Sequence, residues 1–161
     1  MTDASSRRPR PSDDAVYGAV AARRLQFDNL VWQVPVLSLT AQAFLFTVAL
    51  SPGTARLPRT VACTLSIVAS FLSVQIMTRH RQAEITDAAW LAMVEVGAEL
   101  LPVHGDEWRQ RRNKQSGDGW IFTPLVKLPG YRTWAVGLSL FGLAAVLILI
   151  LTWTDPRSLV S

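Results

Sequence analysis

Three blocks of the chain carry no Asp, Glu, Lys, Arg or His at all: Leu30 to Leu50, Val61 to Met77 and Thr133 to Trp153. At about 1.5 Å rise per residue, helices of this length cross a hydrocarbon core of roughly 30 Å. The middle block is at the short limit, so its span is extended to Thr78. None of the three shows the alternation of period two that a transmembrane barrel strand would need. With no water in a bilayer to satisfy backbone groups, each block is expected to be a helix. The first apolar block begins too far from the initiator methionine, and runs too long, for a cleaved signal peptide. It is therefore expected to be a retained span.

Between the second and third blocks the period changes. From Arg79 to Leu101 only Gly97 interrupts a helical pattern. Glu84, Asp87, Glu95 and Glu99 share one stripe, while Ile85, Ala89, Met93, Val96 and Leu100 share the opposite one. An amphipathic helix that lies on a bilayer usually has Lys and Arg on its polar face. The acidic polar face here points instead to protein packing, with the apolar stripe as the docking surface. The segment from Ala15 to Asn29, with Val16, Val20 and Leu25, is the natural intramolecular neighbour, and contact across Val20 and Ile85 is expected.

The fold predicted is an all-α integral membrane protein with three transmembrane helices and an amphipathic cytoplasmic helix between spans two and three. In order along the chain the expected parts are a disordered tail over 1–14, a juxtamembrane helix over 15–29 capped by Asp13 or Asp14, and span one over 30–50. There follow an outside loop over 51–60, span two over 61–78, the amphipathic helix over 79–101 and a cytoplasmic loop over 102–132. Span three over 133–153 and an outside tail over 154–161 complete it. Pro35 removes the amide that would bond the Val31 carbonyl, which predicts a kink. Within the long loop, Trp120-Ile121-Phe122 is an apolar segment expected to lie against the amphipathic helix or the membrane face.

Charge settles the expected orientation. Arg and Lys number five before span one, two between spans one and two, eight between spans two and three, and one after span three. This alternation places the N-terminus inside and the C-terminus outside. The net charge of +4 then needs no nucleic-acid partner, and the basic run Arg109 to Lys114 lacks the interleaved aromatics that single-stranded nucleic acid would stack on. Arginine outnumbers lysine fourteen to two and alanine is abundant, a usage associated with high-GC bacterial genomes, so the expected location is a bacterial inner membrane.

Polar residues inside the spans mark helix contacts. Gln33, Thr40 and Thr47 recur along one side of span one, with Ser38 and Gln42 nearly opposite. Ser66, Ser70 and Ser73 cluster with Ala62, Cys63 and Ala69 on span two. These positions suit close helix packing or the lining of a pore in an oligomer. Catalytic chemistry is less well supplied. His80 and Glu84 stand one helical turn apart, but two ligands are too few for a catalytic metal. Cys63 has no base in its span. No cofactor motif occurs, and only Asp28, His80 and Glu84 could serve an enzyme at headgroup level, where interfacial solvation and pairing with Arg23, Arg24, Arg79 or Arg81 is the role expected of them.

The layout from residue 15 to 101, with Arg23-Arg24 and Gln26 before span one and Arg79 with Glu84 after span two, resembles the SLATT family of small bacterial membrane proteins. That resemblance implies a pore-forming effector in a defence system. The third span departs from the family's two-span pattern, and no functional residue is carried over. The residues themselves favour a membrane-anchored interaction or scaffold subunit, oligomeric or docked on a protein partner. A pore is the alternative and a headgroup-level enzyme the third reading.

Overall fold

The computed structural model describes residues 12–115 and 128–155. Within them the chain is all-helical, with three helices long and apolar enough to cross a membrane. The elements are α1 (Asp13–Leu50), α2 (Arg56–Gly97), α3 (Gly105–Gln115) and α4 (Gly130–Thr154).

Helix α1 joins the expected juxtamembrane helix and first span into one element of 38 residues, about 57 Å long. Its N-cap is Ser12, one residue before the expected aspartates. The Ser12 side chain accepts from the Ala15 amide at 3.3 Å. Asp13 and Asp14 instead occupy the first turn, where carboxylates favour the positive end of the helix dipole. The helix runs through Pro35 without a break, with the proline ring buried.

The loop after α1 is shorter than the expected 51–60, because α2 already begins at Arg56. Pro58 lies in the first turn of α2, where its missing amide would have had no partner within the helix. Arg59 is only 3% exposed. Its Nε donates to the Ala49 carbonyl at 2.8 Å and its Nη2 to the Ser51 carbonyl at 3.5 Å. A cation here satisfies carbonyls that α1 leaves open at its C-terminus, and so closes the turn.

Helix α2 also merges two expected elements, the second span and the amphipathic helix, but it ends at Gly97 and not at Leu101. Glu99 adopts φ 57°. The Leu100 amide reaches back to the Glu95 carbonyl at 2.9 Å and the Glu99 amide to that of Val96 at 3.1 Å, the pairing of a Schellman stop. Pro102 adds a reason to stop early, since the residue before a proline is pushed out of the helical region.

A second difference lies in the expected loop 102–132, where Gly105–Gln115 is helical. This stretch has no apolar period to reveal it. Its support is electrostatic: Asp106 and Glu107 stand in the first turn, Arg112 and Lys114 in the last. Arg109–Asp106 and Arg111–Glu107 approach at 3.2 and 3.5 Å, side-chain pairs on one helix face. The Trp120-Ile121-Phe122 segment falls outside the described residues, as does most of each expected tail.

Helices α1 and α2 form an antiparallel hairpin, and α4 packs chiefly on α2 and to a smaller extent on α1. At the turn end a core of Ala49, Ala62, Cys63, Ala145 and Ile148 joins all three, backed by Leu45, Phe46 and Ile67. Phe46 and Phe141 meet edge to face at 5.7 Å. Gly142 fits where α4 passes close to α2, since a Cβ there would lie 3.1 Å from that of Ser70. At its other end α4 begins beside Trp32 and Thr78, with the Tyr131 hydroxyl bonded to that of Thr78. Beyond that level residues 13–29 of α1 and 79–97 of α2 continue as a two-helix stalk, with the start of α3 packed against the far end of α2.

Candidate functional site

The stalk concentrates the polar chemistry, and it is turned the opposite way from the usual amphipathic arrangement. Glu84, Asp87 and Glu95 are 4%, 6% and 2% exposed, packed toward α1 with Ala88 and Leu91. A buried carboxylate is tolerated only when it is paired and hydrogen-bonded, and α1 supplies the partners. Arg24 donates from Nη2 to Glu84 Oε1 at 2.9 Å, and Arg81 pairs with the other oxygen of the same carboxylate. Arg23 grips Asp87 with two parallel bonds, Nε to Oδ2 at 2.9 Å and Nη2 to Oδ1 at 2.6 Å. This fork is the strongest geometry available to the pair, and it raises the Arg23 pKa further.

Glu95 closes the far end of the stalk. Tyr17 donates its hydroxyl to Oε1 at 2.7 Å, the Val103 and His104 amides donate to Oε2 at 2.9 and 3.2 Å, and His104 Nδ1 meets Oε1. Burial by itself pushes the Glu95 carboxyl pKa up. The bonds from Tyr17, His104 and the Val103 amide, with the nearby imidazole, outweigh burial and hold it below 4.5. The Tyr17 hydroxyl is pushed up in turn, first by its bond to Glu95, then by burial and by the carboxylate charge. One side chain thus ties α1, α2 and the start of α3 together. Gly105 fits into the same corner at φ 80°, where a Cβ would come within 2.9 Å of Ala92.

With the acids turned in, the apolar stripe is turned out. Ile85, Met93, Val96 and Leu100 are 39%, 70%, 60% and 61% exposed, and Ala89 is exposed with them. Ile85, Ala89, Met93 and Val96 thus share one exposed side of α2 and Leu100 lies beyond its end, while the acids take the face toward α1. Of the pair expected to meet there, Val20 is half-buried and Ile85 is exposed.

Inside the membrane windows the polar residues divide. Gln33, Thr40 and Thr47 all lie on the exposed side of α1. The two threonines bond carbonyls of their own helix, at 3.0 Å to Val36 and 2.8 Å to Ala43. The opposite side makes the contacts. Gln42, fully buried, donates from Nε2 to the Ser66 carbonyl at 3.0 Å and to Ser70 Oγ at 2.8 Å, and accepts from Ser66 Oγ. Ser73 donates to Ser38 at 3.0 Å. Ser66, Ser70 and Ser73 are thus engaged with α1 inside one hairpin.

The three headgroup-level residues do not bond one another. Glu84 is taken up by Arg24 and Arg81, the His80 ring rests against Phe27 at 5.8 Å, and no hydrogen bond joins Asp28 to either. Among the described residues no three His, Cys, Asp or Glu come together as metal ligands.

Sequence reasoning missed Tyr17, Arg59 and the meeting of Glu95 with His104. One signal was present: in a hairpin turning at 51–55, Arg23 and Arg24 stand at nearly the same distance from the turn as Glu84 and Asp87. Opposite charges at matched heights on two arms would have indicated an inward acidic face. No family model, curated protein or solved structure matches the chain.

Proposed function

We propose that this chain is a membrane-anchored docking subunit that presents the apolar face of its stalk to another protein surface. The observation that carries the reading is the orientation of α2. Its three buried acids are held by hydrogen bonds from α1 and the turn before α3, so that an uncharged stripe of large side chains is left facing outward along the stalk. A contiguous exposed apolar surface of this kind is characteristic of interaction sites. By the arginine distribution the stalk and N-terminus belong in the cytoplasm, and a bacterial inner membrane remains the proposed location.

The SLATT-like layout enters the proposal at the same level, as a membrane hairpin extended into a stalk. A pore lined by Ser66 and Ser70 would first have to break their bonds to Gln42 within each copy, which favours docking over conduction. Photo-crosslinking residues placed at Ala89, Met93 and Val96 in intact membranes test the proposal. Discrete protein adducts from these positions, and none from the Arg23 side, are expected. Adducts only with lipid would overturn it.

A further inference from the structure

We infer that the groove between α2 and α4 holds one anionic phospholipid of the leaflet on the stalk side, with an acyl chain along the groove and the phosphate held at its head by Arg132. This inference rests on the three long apolar helices crossing a membrane, and it does not depend on what the stalk meets.

Two walls of large apolar side chains flank the groove. Phe71 and Val74 stand on α2, Leu143 and Val146 on α4, with Phe71 66% and Leu143 63% exposed, and the space between them is about 350 Å³. Small residues keep its floor low. A Cβ on Gly142 would lie 3.1 Å from that of Ser70, and Ser139 turns its hydroxyl to the Ala135 carbonyl of its own helix. Both walls lie within the uncharged windows 61–77 and 133–153, so the medium beside the groove is hydrocarbon.

The head of the groove is polar. On α2, Ile67, Phe71, Val74 and Thr78 follow one another by four, three and four residues, the spacing of one helix face. On α4, Ser139, Leu143 and Val146 stand seven, eleven and fourteen residues after Arg132, again along one face. Thr78 and Arg132 therefore end the two walls on the stalk side. The bond between the Thr78 and Tyr131 hydroxyls joins the helices there, and the Trp32 ring beside Gly130 marks the interface level.

Charge selects the occupant. Arg23, Arg24, Arg81, Arg109 and Arg111 each meet a carboxylate. Arg132 at the head of the groove and Arg79 beside Thr78 are exposed, and neither meets a carboxylate among the described residues. A phosphate supplies the missing anion in the geometry that a guanidinium fits best, and basic pockets between spanning helices are where anionic headgroups bind. A second copy inserted the same way would instead bring its own Arg79 and Arg132 to that height, cation against cation. A zwitterionic lipid carries a cation that the two arginines repel, so a net anionic headgroup is favoured.

Native mass spectrometry of the full chain released from nanodiscs tests the site, with dioleoyl phosphatidylglycerol and dioleoyl phosphatidylcholine as probes. One phosphatidylglycerol per chain should be retained under conditions that remove phosphatidylcholine. Arg132→Gln should weaken retention at least about fivefold. Arg56→Gln, which removes the same charge from the exposed turn end of α2, should leave it unchanged. Ser139→Leu fills the groove without altering charge, and should weaken retention to a similar degree as Arg132→Gln. Circular dichroism should show unchanged helix content in all three variants.

Equal retention of the two lipids, or equal losses from Arg132→Gln and Arg56→Gln, would reduce the effect to net charge and overturn the site. Full retention by Ser139→Leu would also overturn it, since the headgroup would then be attracted without a groove. The outward face of the stalk does not enter this readout, so failure here leaves the docking proposal standing. Lipid adducts alone at Met93 would overturn docking and leave the groove untouched.

Discussion

The same two helices are joined in two different ways along their length. In the membrane windows α1 and α2 meet through neutral groups, Gln42 with Ser66 and Ser70 and Ser38 with Ser73, and a third helix lies against the pair. In the stalk they meet through full charges, and no third spanning helix is present. The difference follows from what surrounds each half. Between apolar spans a charge is expensive, and a serine or glutamine gives a directional bond at lower cost. In the stalk the charged arginine heads stay partly in water, as for Arg23 at 57% side-chain exposure, while the carboxylates they hold are buried. The stalk joint should accordingly be specific, sensitive to pH and costly to break, and the membrane joint weak and forgiving.

The largest expected effect is at Glu95. Replacing it with alanine strands the Tyr17 hydroxyl and the amides of Val103 and His104, each deprived of a partner in a largely dry corner. A loss of about 3 kcal/mol is expected. Limited proteolysis should cut between α2 and α3 far faster than in the parent chain, while cleavage at the 51–55 turn is unaltered. If both sites are cut equally faster, the two joints are not independent.

Acid should weaken the same corner without mutation. The folded pKa of Glu95 is depressed below 4.5, so its contribution is complete above the unfolded value and is lost as pH falls through the folded one. Hydrogen exchange of the 98–104 amides should rise as pH drops below about 4.5, after correction for the intrinsic rate. Amides of the membrane windows should show no such change. A response that instead strengthened on acidification would reverse the sign of the argument.

Gln42→Leu tests the other half. An apolar side chain of similar size loses three bonds, yet the freed serines can turn to carbonyls of their own helix, as Thr64 and Thr78 already do. The expected cost is about 1 kcal/mol, read as a small drop in melting temperature in detergent. A cost exceeding that of Glu95→Ala would invert the comparison. Smallest is Glu99→Gly, expected to stabilise by about 0.5–1 kcal/mol because Glu99 holds φ 57° at the stop of α2, a conformation that glycine adopts without strain.

Much of this architecture was legible in the chain itself. Uncharged runs announce spanning helices because neither charges nor unpaired backbone groups survive in hydrocarbon, and the three windows lie within α1, α2 and α4. Less legible were elements whose support is not periodic burial. Helix α3 rests on charge order along its axis, the end of α2 on a left-handed Glu99, and the turn on a buried Arg59. None of these leaves a hydropathy signal.

By itself the sequence determined the three helices long and apolar enough to cross a membrane, the amphipathic character of 79–97 and the placing of Ile85, Ala89, Met93 and Val96 on one side of it. Periodicity in a helix specifies which residues share a face. It does not specify which face turns inward, because that depends on whether the polar groups find partners on the neighbouring helix. Arg23, Arg24 and Tyr17 are those partners, and only the pairing of α1 with α2 brings them within reach of Asp87, Glu84 and Glu95. Tertiary structure therefore decided that the acids are buried and the apolar stripe exposed: a carboxylate that accepts bonds from arginine or tyrosine can leave water, and the helix rotates to let it do so.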